Sequence, residues 1–176
     1  LGLSFFSVAP VLPLIQDDYG INRGMASLLV GAVILLQALF SIPGGVLVAR
    51  IGVRRVVTGG WLLAAVPVLT LLADNFVSLL ALRVIYGVSF AMLIPAIGPL
   101  LMQWFRPREL PLINSLGLAM ATLAMAISTF SAAPLADVLG WRGALSLFSG
   151  LTLVGALLWM VLGRTRDEVR GAAAPS

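Results

Sequence analysis

Pro43-Gly44-Gly45-Val46-Leu47-Val48-Ala49-Arg50-Ile51-Gly52-Val53-Arg54-Arg55 is the stretch on which the fold turns. It joins two long apolar segments and packs three arginines and turn-forming glycines into a very short hinge. Helices joined this tightly form an antiparallel hairpin, and the arginines say which side of a bilayer the turn faces. Gly45 is expected to remove a side chain where its helix approaches a neighbour closely. Gly52 lets the backbone reverse, and Arg54-Arg55 anchors the turn among anionic head groups.

Composition makes lipid the solvent. The 176 residues are 60% hydrophobic and 10% charged, with a mean hydropathy of +1.08, whereas soluble domains carry about a quarter charged residues. A chain this short has too little interior to hide that much apolar surface. There is no cysteine and no histidine. That removes disulfides, thiol nucleophiles, imidazole bases and the usual zinc sites, so neither a metal nor a cofactor is expected. Arginine carries all the positive charge. The arginines stand singly or in pairs between apolar runs, so they mark topology and imply no nucleic-acid partner.

About 20 apolar residues span the hydrocarbon core as a helix. On that ruler the sequence predicts six spans, at 1–15, 25–48, 56–73, 76–104, 110–136 and 143–162. The breaks at 16–24, 50–55, 74–75, 105–109 and 137–142 are short, which makes sequential helices antiparallel neighbours. No ten-residue alternation of the kind a closed barrel needs is present. Leu1 already lies inside an apolar segment that lacks a charged n-region and a cleavage site, so the first helix is expected to begin upstream. The expected fold class is all-α: a polytopic membrane protein with six transmembrane helices in residues 1–163, and a cytoplasmic linker or tail opening at 164–176.

Pro43 precedes Gly52-Val53-Arg54 at the end of the second span, and Pro134 precedes Gly140-Trp141-Arg142 at the end of the fifth. Copies three spans apart face opposite sides of a membrane, as two inverted three-helix repeats require. Arg50, Arg54, Arg55, Arg106, Arg108, Arg164, Arg166 and Arg170 fall on one side, against Arg23 and Arg142 on the other. The positive-inside bias puts both ends in the cytoplasm, and the expected location is a bacterial inner (plasma) membrane.

Gly45, Arg50, Gly52, Arg54 and Arg55 match the pattern Gly-x-x-x-Asp-(Arg/Lys)-x-Gly-x-(Arg/Lys)-(Arg/Lys), with Ala49 in place of the acid. Arg83 and Gly87 form an Arg-x-x-x-Gly motif in the fourth span. Trp104-Phe105-Arg106-Pro107-Arg108 follows that span, and Gly140-Trp141-Arg142 opens the sixth. In these motifs, over nearly its whole length, the chain resembles the amino-terminal half of the major facilitator superfamily of secondary transporters. The resemblance implies half of a twelve-helix carrier that moves a small solute by rocker-switch alternating access. Its partners would be a small-molecule substrate, the lipid bilayer and a missing carboxy-terminal six-helix half. It assigns Gly45, Arg50, Gly52, Arg54 and Arg55 to a gating hinge. In the family the acid replaced by Ala49 belongs to a charge cluster that holds the cytoplasmic gate, so that cluster is weakened here.

Arg83 is the strongest single-site clue. A guanidinium inside a membrane helix costs about 2.5–3.5 kcal/mol on insertion scales, so it faces protein or water. Gly87 and Ala91 share its face and are expected to thin a cavity wall. Either Arg83 grips an anionic substrate group or tunes a proton site, or it is a structural pairing residue or snorkels to the outer interface. Gln37 and Ser7 are further cavity candidates, with Ser4, Ser41, Asn114 and Thr122 behind them. No Asp, Glu or His lies well inside any span. That leans the substrate toward an anion.

The competing classes fare worse on chemistry. An intramembrane serine protease needs a Gly-x-Ser-Gly serine and a histidine, and a head-group transferase needs clustered aspartates with a metal; neither set is present, so no enzyme is expected. Water-channel half-helices carry Asn-Pro-Ala, and none of Asn22, Asn75 and Asn114 precedes a proline. A self-contained six-helix protein that homodimerises remains open. So does one half of a drug-efflux antiporter, although the fifth span lacks the glycine-rich pattern of some exporters.

Overall fold

The computed structural model describes residues 1–163, and the expected linker at 164–176, with Arg164, Arg166 and Arg170, lies outside the described residues. The described chain is helical, without a strand: α1 Gly2–Phe6, α2 Val8–Tyr19, α3 Arg23–Ile51, α4 Val53–Ala65 continued by a 3₁₀ segment Val66–Leu72, α5 Phe76–Trp104 and α6 Leu110–Leu162. Among the described residues, four stretches are long and apolar enough to cross a membrane: α3, α4 with its 3₁₀ continuation, α5 and α6.

Each departure from the expected spans has a local cause. The first span runs on to Tyr19 and is interrupted at Ser7. Pro10 cannot donate to the carbonyl of Phe6, so the ladder fails there. The hinge expected at 50–55 shrinks to Gly52, whose backbone (φ 88°, ψ 154°) lies in a region essentially closed to other residues. Arg50 closes α3, where a cation suits the carbonyl end. Arg54 and Arg55 open α4. The third span tightens to a 3₁₀ helix because Pro67 has no N–H for the Leu63 carbonyl, which takes the N–H of Val66 instead. Asn22 caps α3 by accepting from the Met25 N–H at 2.8 Å.

α6 is a hairpin rather than a rod. Gly140 (φ 71°, ψ 160°) breaks its helical dihedrals. Ser128 donates to the carbonyl of Leu3 at 2.8 Å, and Ser4 donates to that of Phe148 at 2.9 Å. Adjacent residues of α1 thus touch points that a straight helix would hold about 30 Å apart. The chain reverses at Gly140.

α3 and α4 pack on α5, while α1, α2 and α4 pack on the two arms of α6. One apolar cluster gathers Val11, Ile15, Leu29, Leu79, Leu145 and Phe148, and a second gathers Val33, Val48, Val56, Tyr86 and Leu93. The outer surface is apolar too: Ile42 is 79% exposed, Val138 80% and Phe130 82%. The glycine that lets α3 meet α5 is Gly44, since a Cβ there would collide with the Ala91 carbonyl. This corrects the packing role expected for Gly45, whose Cβ would make an ordinary 3.9 Å contact with Pro95.

Candidate functional site

α5 positions the central cation. Asn75 and Ser78 form a reciprocal capping box, with the Ser78 N–H donating to Asn75 Oδ1 at 2.9 Å. That fixes the start of the helix and sets Arg83 about two turns inside it. Its side chain is 1% exposed. Nη1 donates to the carbonyl of Ser4 at 3.2 Å, and the guanidinium lies 5.9 Å from the Tyr86 ring centroid. Nε and Nη2 have no hydrogen-bond partner. A buried donor left unsatisfied costs about 1–3 kcal/mol, and more when charged.

The surface that Arg83 meets is the interrupted first helix. Tyr86 donates its hydroxyl to the carbonyl of Leu1. Ser7 donates to the same Ser4 carbonyl that Arg83 uses, at 3.2 Å. The Ser4 hydroxyl also lies 2.8 Å from that of Thr152. Carbonyls near the break are therefore held by side chains from α5 and α6, in a polar seam buried at the level of Ser4. Sequence reading overlooked Tyr86, Ser128 and Thr152 in this seam. The usable signal was an isolated hydroxyl in the middle of an apolar span.

The other candidates are distributed differently. Ser7 is fully buried and spends its hydroxyl on the backbone. Gln37 is half-buried on α3, and its carbonyl accepts from Ser41. Gly87 does not thin a cavity wall: a Cβ there would come 3.0 Å from Val33 Cα and 3.1 Å from Leu36 Cβ, so it is a contact point between α5 and α3. Ala91 likewise faces Gly44. Arg50, Gly52, Arg54 and Arg55 gather at one end of the bundle, all exposed, and Gly45 sits apart from them on α3.

A second cationic cluster occupies the opposite end. Arg142 Nη2 lies 2.9 Å from Asp18 Oδ2, and its Nε donates to the carbonyl of Ala73 at 3.2 Å. Tyr19 donates to the same carbonyl at 2.7 Å, and the Trp141 N–H donates to Asp18 at 3.3 Å. The guanidinium lies 4.6 Å from the Trp141 ring centroid and 5.3 Å from that of Tyr19. Partial burial opposes its charge, but the Tyr19 hydroxyl and the carboxylates of Asp18 and Asp74 outweigh that and raise its proton affinity.

A helical membrane bundle with a buried, under-coordinated cation on its fourth predicted span and a glycine-arginine turn after its second defines a class of solute carrier. The chain belongs to the Major Facilitator Superfamily, whose model matches residues 1–176. That membership points to a transporter and away from an enzyme. The chain is 26% identical over 164 residues to the probable nitrate transporter NarT of Staphylococcus carnosus, covering 91% of this chain and 41% of that protein. The NarT protein of Staphylococcus aureus is 24% identical over 163 residues, with 92% and 41% covered. The uncharacterized protein Cj0987c of Campylobacter jejuni is 20% identical over 167 residues, with 94% and 52% covered. The chain thus spans about half or less of the length of these curated relatives.

Proposed function

We propose that this chain is the amino-terminal six-helix half of a twelve-helix carrier that moves a small anion across a bacterial inner membrane. The observation that carries the reading is Arg83: a buried guanidinium with two unpartnered nitrogens and no carboxylate against it among the described residues. A cation left so under-coordinated away from water needs an anion or an opposing acid. Similarity to the probable nitrate transporters NarT supports an inorganic oxyanion of nitrate's size and charge.

The six crossings and their inverted-repeat arrangement belong to the same proposal. α6 has 53 residues, about 80 Å of helix, against a hydrocarbon core of about 30 Å. Its reversal at Gly140 supports two crossings, and α1 with α2 supplies the first. Gly52 and Gly140 share one unusual backbone conformation and each stands two residues before an arginine, which supports the repeat. The arginine distribution supports cytoplasmic ends.

Arg83 is closed off by α1, so a substrate reaches it only when the helix interrupted at Ser7 moves. That fits alternating access by rocking of two halves. Residues 114–127 of α6 are exposed almost all round, and Ser115 and Thr122 turn their hydroxyls back to the carbonyls of Pro111 and Leu118. A helix with so little cover suits docking of a second bundle. Gln37 and Ser7 remain proposed cavity residues, and Gly45, Arg50, Gly52, Arg54 and Arg55 a proposed gating hinge. The deciding experiment is uptake of labelled nitrate, nitrite and neutral solutes by the complete carrier in vesicles, with and without a proton gradient. Anion-selective uptake lost on Arg83→Met is expected; uptake of neutral solutes alone would overturn the reading.

A further inference from the structure

Three of the four tryptophans converge on one groove at the arginine-rich end of the bundle, far from Arg83 in the fold. Trp61, Trp104 and Trp159, with Gly155 and Leu158, line a cavity of about 530 Å³. That lies within the range of roughly 300–1,000 Å³ typical of small-molecule sites. Its walls are built. The Trp159 N–H donates to the Thr58 hydroxyl at 3.0 Å, which pins that indole between α6 and α4. The Trp61 ring packs against Gly155, where a Cβ would come 3.1 Å from it. Trp104 ends α5 and is 49% exposed.

The walls are apolar, and arginines stand close to them along the chain. Arg106 and Arg108 follow Trp104 by two and four residues, and both are exposed. Arg54 and Arg55 open the helix that carries Trp61. The nearest acid in sequence, Glu109, accepts from the backbone N–H of Arg106 at 2.8 Å. In a bilayer whose head groups meet these arginines, an apolar groove walled by indoles would match one chemistry: an acyl chain attached to an anionic phosphate.

We propose that this groove is a specific site for an anionic phospholipid, with one acyl chain between Trp61 and Trp159 and the phosphate against Arg106 and Arg108. The inference needs only that the bundle is embedded in a bilayer and is independent of the transport reading. The test is tryptophan quenching in phosphatidylcholine vesicles that contain a minor fraction of brominated phosphatidylglycerol or, separately, brominated phosphatidylcholine. Trp141, 7% exposed at the other end, supplies a shielded background. Preferential quenching by the anionic lipid is expected, about tenfold or more if two arginines engage its phosphate. Arg106→Gln with Arg108→Gln should bring the two lipids to parity. Gly155→Val, which keeps every arginine, should lower quenching by both. Equal quenching of the wild-type chain would overturn the site, and so would a preference that survives Gly155→Val, because surface charge alone would then explain it. Deletion of residues 164–176 that raises quenching by both lipids alike would show that this segment fills the groove instead.

Discussion

Arg83 and Arg142 sit in the same bundle under opposite conditions. Arg142 is about one-third exposed and meets a carboxylate, a backbone carbonyl and two aromatic faces. Arg83 is buried and has one carbonyl and one ring. Water is at hand for the first and absent for the second, yet the first has the fuller set of partners. A fold optimised only for stability would reverse that allocation, because desolvated charge is the expensive kind. The contrast separates a cation that fastens elements together from one left under-coordinated, which the proposed function assigns to a ligand.

The widest separation comes from replacing each arginine by methionine. Arg83→Met removes a charge that costs about 2.5–3.5 kcal/mol to bury in lipid, so the variant should insert and unfold no more easily than wild type. Transport of an anion by the complete carrier should fall about 10- to 100-fold, the loss of a charge-assisted hydrogen bond worth about 1.5–3 kcal/mol. Arg142→Met should do the reverse, lowering the unfolding temperature while transport stays within about twofold. Parallel losses in both assays for both variants would erase the distinction.

The turns offer a sharper version of the same contrast. Gly52 and Gly140 hold a conformation that costs a residue with a Cβ about 1–3 kcal/mol. Gly140 also places Trp141 and Arg142 against Asp18, whereas Gly52 leads into exposed Arg54 and Arg55. Gly140→Ala should therefore lower the unfolding temperature in detergent more than Gly52→Ala. Equal shifts would mean that the cluster around Arg142 contributes nothing beyond the backbone.

Those turns were legible in the sequence because a glycine-arginine hinge acts locally. That Arg83 faces protein or water was legible for a similar reason, since a guanidinium two turns inside a membrane helix is too costly against lipid. What Arg83 touches was not. Its partner is the Ser4 carbonyl beside the interruption of the first helix, 79 residues earlier in the chain, and only tertiary packing brings the two together. The choice between Gly44 and Gly45 has the same origin. Neighbouring residues on a helix point about 100° apart, and the rotation of α3 against α5 decides which of them meets Ala91. Gly87 was placed on a cavity wall by its register with Arg83, but the face it shares is filled by Val33 and Leu36.

The seam itself can be loosened without touching either arginine. Ser4→Ala deletes the bonds to the Phe148 carbonyl and the Thr152 hydroxyl, yet leaves the backbone carbonyl that Arg83 uses. Side-chain hydrogen bonds between membrane helices average about 0.6 kcal/mol and reach about 1.7. A stability loss in that range, measured by thermal unfolding, is expected together with a change in transport rate, because the interrupted helix is then held less firmly over Arg83. A loss of stability with an unchanged rate would confine the seam to a structural part.

The smallest effect is expected at Asp18, where water has the most access. Asp18→Asn removes the ion pair with Arg142 but keeps an oxygen for the Trp141 N–H. With side chains 39% and 34% exposed, the pair contributes about 0.2–1 kcal/mol, and less as ions screen it. The unfolding temperature of the wild type should fall toward that of the variant as salt is raised, while the variant itself barely responds. Arg83 has no exposed partner to screen, so the stability difference between wild type and Arg83→Met should not depend on salt. A salt-sensitive difference at Arg83 would place a carboxylate near it and turn the cation into half of a structural pair.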